Sequence, residues 1–99
     1  MIIYVDIDDT ICKLPPNSQD YSKATPIYDR IAKINDLYHQ GHTIVYWTAR
    51  GTKSGIDWRH ITEKQFDKWS VKYNKLIFGK PVYDIFIDDK NINSDEYFK

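Results

Sequence analysis

The stretch MIIYVDIDDTIC (residues 1–12) decides how the rest of the chain is read. Ile2, Ile3, Tyr4 and Val5 form a short continuous apolar run, the pattern of a parallel strand covered on both faces. It runs straight into Asp6, Asp8 and Asp9. Carboxylates crowded at the end of a buried strand repel one another and resist desolvation, so a cation is expected among them.

Outward from that stretch, residues 13–24 carry two prolines and small polar residues and read as an irregular loop. Thr25 and Pro26 have the character of an N-cap and first helical residue. Ile27, Ile31, Ile34 and Tyr38 then recur at helical spacing until Gly41 supplies the stop. A second β-rich run, HTIVYW (42–47), ends at Thr48 and is followed by a loop rich in glycine and hydroxyls, TARGTKSG (48–55). A second helix is expected to begin between Asp57 and Thr62, with Trp58, Ile61, Phe66 and Trp69 on one face. Lys64, Lys68 and Lys72 form a row that reads as a solvated face rather than a phosphate-binding stripe. KLIF (75–78) is a third strand closed by Gly79, and YDIFI (83–87) is expected to be a fourth, running into Asp88 and Asp89. The polar tail 91–99 keeps Tyr97 and Phe98 available for docking.

Strands alternating with helices predict an α/β fold with a parallel sheet flanked by helices, and ligands bind such sheets at the carboxyl ends of their strands. The chemically interesting residues all fall there: Asp6, Asp8 and Asp9, then Thr48 and Arg50, then Lys80, then Asp88 with Asp89.

With 99 residues the chain supports one domain, residues 1–99, without a second domain or a large lid. Lysine plus arginine equals aspartate plus glutamate at 14 each, which disfavours nucleic acid and anionic membrane as partners. The one cysteine, Cys12, permits no intramolecular disulfide and reads as a small buried residue rather than a reactive thiol. Neither a secretory leader nor a membrane-length apolar run is visible, so a cytoplasmic location is expected.

Hard carboxylate oxygens without nearby histidine or cysteine suit Mg²⁺, which keeps waters and takes substrate phosphate as a ligand. Thr48 offers a hydroxyl, the amides around Ala49 and Arg50 offer donors, and Lys80 offers a point charge for phosphate oxygens. A metal, a phosphate cradle and a carboxylate at a strand tip add up to phosphoryl transfer to aspartate followed by hydrolysis.

DIDDT (6–10) resembles the nucleophile motif of the haloacid dehalogenase superfamily, Asp-x-Asp-x-Thr, with Asp9 where glycine is frequent. VYWTAR (45–50) is similar to the second motif, GKP (79–81) to the third with its lysine, and IFIDD (85–89) to the fourth with its acidic pair. The resemblance implies Asp6 as nucleophile and Asp8 as general acid and base. It implies Mg²⁺ held by Asp6, the Asp8 carbonyl and the Asp88/Asp89 pair, with Asp89 favoured as the direct ligand. Thr48 would bind phosphate, Lys80 would balance charge, and Thr10 would stabilise the turn. The short segments between motifs imply a capless, Rossmann-like member, whose open site suits hydrolysis of a large substrate or a neighbouring subunit as lid.

More narrowly, WTARGTKSGIDW (47–58) with FGKPVYDIFIDDK (78–90) resembles small capless phosphatases of capsule and lipopolysaccharide sugar synthesis, with Asn74 where that group has histidine. The implied partner is a small phosphorylated substrate, a sugar phosphate, and a homo-oligomer is compatible with an open site. Arg50, Lys53, Ser54 and Asp57 are candidates for leaving-group contacts, while Trp47 and Trp58 read as packing residues. A polynucleotide 3′-phosphatase and a non-catalytic sugar-phosphate-binding subunit are the alternatives. A receiver-like signalling domain is disfavoured because its acidic pair follows the first strand and its phosphoacceptor the third.

Overall fold

The computed structural model describes residues 1–99. Its centre is a three-stranded parallel sheet built from β1 (Ile2–Val5), β4 (Thr43–Thr48) and β5 (Lys75–Phe78), in the order β1-β4-β5. Register pairs Val5 with Tyr46 and Thr48 with Phe78, so the strand ends carrying Asp6, Thr48 and Lys80 share one edge. A small antiparallel ribbon, β2 (Cys12–Lys13) with β3 (Thr25–Pro26), lies outside this sheet.

Two helices cover one face: α1 (Tyr28–His39) and α2 (Arg59–Lys68). Strand alternation puts Ile3, Val5, Ile44, Tyr46 and Leu76 on that face. There they form the core with Ile31 and Ile34 of α1 and Phe66 of α2. The Tyr46 and Phe66 rings meet edge-on with centroids 4.9 Å apart. On the opposite face no helix lies, and Ile2 and Tyr4 of β1 are exposed. No helix is long and apolar enough to cross a membrane.

The helix stop at Gly41 is built as expected. Gly41 has φ 96°, its N–H donates to Tyr38, and the His42 N–H donates to Leu37, which is a Schellman closure. The start of α1 is not as expected. Thr25 and Pro26 are the β3 pair rather than the first helical turn, and the Thr25 hydroxyl donates to the Lys13 carbonyl. The helix opens two residues later, with Ile27 at the N-cap position and no side-chain cap. The lysine row of α2 and its continuation is solvated, as its pattern suggests.

The expected fourth strand over 83–87 is not formed. Residues 81–93 are irregular and exposed, and no backbone group from Pro81 to Ile92 is bonded to another backbone group. The chain then returns to the body in α3 (Ser94–Tyr97), capped by the Asn93 side chain. Arg30 of α1 binds Asp95 at 2.9 Å and lies over the Phe98 ring, and the Ser94 hydroxyl donates to the Asp9 carbonyl. Of the two tail aromatics available for docking, Phe98 packs against the core and Tyr97 stays exposed.

Candidate functional site

Asp6 stands at the carboxyl end of β1, partly exposed, with the Lys80 ammonium 3.6 Å from its Oδ1. Burial pushes the Asp6 carboxyl above the usual carboxylate range. Lys80 and the Ile7 N–H pull it back, and nearby Asp8 adds to the rise. Lys80 is itself fixed on three sides. Its N–H donates to the Thr48 carbonyl, its carbonyl accepts from the Thr52 hydroxyl, and its ammonium lies 5.5 Å from the Trp47 and Tyr83 ring centres. Trp47 therefore has a task that its reading as packing alone did not include, steadying the cation beside Asp6.

These groups open into a cavity of about 290 Å³ lined by Asp6, Ala49, Lys80, Pro81, Val82 and Tyr83. A second hollow of about 480 Å³ adjoins it through Ala49 and Val82. Its walls include Lys53, Ser54 and Trp58, three residues singled out from the sequence, but not Asp57. Tyr21 and Leu14 complete it from the proline-rich loop, where the sequence carries no periodic signal to reveal them. The Asp57 carboxylate is occupied instead by the Arg59 N–H at the start of α2.

The loop between the hollows is pinned by Gly51. It has φ 81°, and a Cβ there would stand 2.1 Å from the Ile56 carbonyl oxygen, so only glycine fits without displacement. Asp9 also occupies the left-handed region, at φ 61°. That conformation suits glycine and is tolerated by aspartate. Its carboxylate faces solvent near Lys13, and its N–H donates to the Cys12 carbonyl. The turn closes through the Thr10 and Ile11 amides, both donating to the Ile7 carbonyl.

The Arg50 side chain does not line the hollow where a leaving-group contact was expected of it, and its amide donates to the Thr48 hydroxyl. It is buried, at 2% exposure, and its fork clamps Asp8: Nε donates to Oδ2 at 3.0 Å and Nη2 to Oδ1 at 2.9 Å. Nη1 donates to the Thr62 hydroxyl and the Gln65 amide oxygen, and the guanidinium lies over the Tyr21 ring. Thr62 and Gln65 are polar residues on the buried face of α2, and their burial is a signal of a polar partner inside. Asp8 thus faces inward and does not line the cavity beside Asp6.

Thr48 is buried, its hydroxyl accepting from the Arg50 N–H, so it shapes the turn after β4. Cys12 is buried against Asp8, and burial first, then that carboxylate, push its thiol far up, which keeps it unreactive. Asn74 has a structural task, exchanging hydrogen bonds with the Ile44 backbone at the start of β4.

Asp88 and Asp89 are exposed on the irregular segment and do not meet Asp6 and Asp8. No three carboxylate, histidine or cysteine side chains converge anywhere in the chain. The donors on one chain therefore do not compose the Mg²⁺ ligand set Asp6, Asp8, Asp88 and Asp89.

No family model and no curated protein matches the chain. Among solved structures, the chain resembles a crystallographic target protein from Vibrio cholerae, with a TM-score of 0.85 and 27% identity over 98% of this chain and 86% of that one. It also resembles a chain of the Pnkp1/Rnl/Hen1 RNA repair complex, with a TM-score of 0.61 and 17% identity over 98% of this chain. The matched part is 28% of that longer chain, and at this identity the likeness is one of fold.

Proposed function

We propose that the protein is a capless phosphatase of the haloacid dehalogenase type that hydrolyses a phosphomonoester, with Asp6 as nucleophile. The supporting observation is the Asp6–Lys80 pair, 3.6 Å apart at the mouth of the 290 Å³ cavity. A carboxylate beside a fixed ammonium, open to a hollow with room for a phosphoryl group, is equipped for in-line attack and for stabilising the charge that develops.

An Asp6 oxygen bonds to phosphorus while the bond from phosphorus to the ester oxygen breaks, and that oxygen leaves with a proton supplied by Asp8. Water then attacks the aspartyl-phosphate, Asp8 takes up the proton, and phosphate departs with Asp6 restored. Asp8 reaches the leaving oxygen only when one of its oxygens is released by Arg50, so the clamp governs when the proton donor is available. Lys80 holds the phosphoryl charge, and the Ala49 backbone lines its cradle. Mg²⁺ belongs to this reading: Asp6, with Asp88 and Asp89 brought beside it, would hold the ion, which would offset charge on the phosphoryl group.

The adjoining hollow, with Trp58 and Tyr21 as apolar walls and Lys53 and Ser54 as polar ones, suits a hydroxylated leaving group such as a sugar. Phosphate release from a panel of sugar phosphates, nucleotides and 3′-phosphorylated oligonucleotides, each with Mg²⁺ and with EDTA, tests this. The highest kcat/KM is expected on a sugar phosphate. Turnover confined to oligonucleotide ends would replace the sugar with a polynucleotide, a substrate that the balanced charge of the chain does not favour.

A further inference from the structure

β1 is an edge strand. Only β4 pairs with it, its other edge is open, and Ile2 and Tyr4 are 72% and 58% exposed. An open parallel edge with apolar side chains is a template for another strand. The same chain carries a matching unpaired segment, Tyr83–Asp88, in which Ile85 and Ile87 are 78% and 93% exposed and no backbone group finds a backbone partner.

The segment cannot reach that edge in its own chain in the parallel sense. Lys80 is tied to Thr48 at the carboxyl end of the sheet, level with Ile7. Residue 84 would have to stand level with Ile2 for Asp88 to arrive beside Asp6. The four Cα steps from Lys80 to Asp84 span at most about 14 Å. Descending from the level of Ile7 to that of Ile2 takes roughly 17 Å, before a sidestep of about 14 Å past β4 and β1. Parallel neighbours need a crossover of about a dozen residues or more, and here there are only a few.

We infer that the chain forms a twofold dimer in which each copy extends Asp84–Asp88 beyond Tyr83, which stays beside Lys80, and adds it as a fourth parallel strand to β1 of the other copy. The exchange pairs the open edge of β1 with the unpaired backbone of residues 84–88, setting Ile85 and Ile87 level with Ile3 and Val5 on the face that carries the core and Phe86 beside Tyr4. It also sets Asp88 and Asp89 at the carboxyl end of the neighbour's β1, and α3 follows onto the same surface, around Asp9 and Arg30, that it meets in its own chain. The acidic pair missing from each site is then supplied by the other copy; this last consequence rests on the hydrolase reading above, while the exchange does not.

Sedimentation velocity on the full chain is expected to show twice the chain mass, and Ile85→Lys/Ile87→Lys to sediment as a monomer that keeps its helical circular dichroism, since both side chains are exposed in the single chain. A monomeric wild type, or a dimer unmoved by the two lysines, would overturn the exchange. Refolding Asp6→Asn together with Asp88→Asn/Asp89→Asn is expected to restore about a quarter of wild-type turnover, because half of randomly formed dimers are mixed and each carries one intact site. No recovery, with an active wild type, would also overturn it. An inactive wild type would sink the hydrolase reading alone, with sedimentation still deciding the exchange.

Discussion

Arg50 shows how one side chain can organise a site without lining it. Five polar contacts and an aromatic face surround a guanidinium with no exposed side-chain surface. Replacing it by methionine leaves Asp8, Thr62 and Gln65 facing an apolar stem. Arg50→Met is expected to lose about 3 kcal/mol of stability at neutral pH, read as a lower urea midpoint. A loss below about 0.5 kcal/mol would show the clamp to be incidental. Asp6 acts in the opposite sense. Its carboxyl is raised in the folded chain, so the native state holds that proton more tightly than the unfolded state does. Its contribution is therefore present at low pH and is lost as pH rises from the ordinary carboxylate range through the raised value. With EDTA present, the urea midpoint of Asp6→Asn relative to wild type should rise between about pH 3 and 7. A flat difference across that interval would contradict the burial of Asp6.

Among the elements, those with a local signal were legible. The spacing Ile27, Ile31, Ile34, Tyr38 gives α1, and Gly41 closes it because the left-handed cap needs that residue. Thr25 and Pro26 misled because an N-cap pattern is local, whereas their pairing with Cys12 and Lys13 depends on a ribbon closed across the proline-rich loop. Arg50 was misplaced for the same reason, since Asp8 lies 42 residues away and Gln65 15. The fourth strand carried a strand-like composition, yet the few residues between Lys80 and Tyr83 already denied it a parallel crossover in its own chain. Gly51 holds the loop between the two hollows, and Gly51→Ala must move that loop away from the Ile56 carbonyl. It should cost about 1–3 kcal/mol and raise KM more than it lowers kcat. Unchanged KM would separate the loop from substrate binding.

At the scale of the whole molecule, the parallel α/β sheet brings Asp6 and Lys80 to one edge from positions 74 residues apart (80 − 6), as strand order and register require. That meeting was legible because ligand-binding ends of parallel strands follow from topology. The place of Asp88 and Asp89 was not, because composition shows that residues 83–87 can be a strand but not which strand they join, and the structure leaves the pair exposed. The account stands most directly on Asp6 as nucleophile. Phosphate release by Asp6→Asn and wild type, on the best sugar phosphate of the panel and with Mg²⁺ present, measures that claim. A loss of at least about 10³-fold in kcat, with the circular dichroism of the fold intact, is the predicted result. Activity near that of wild type in a folded Asp6→Asn protein would contradict it.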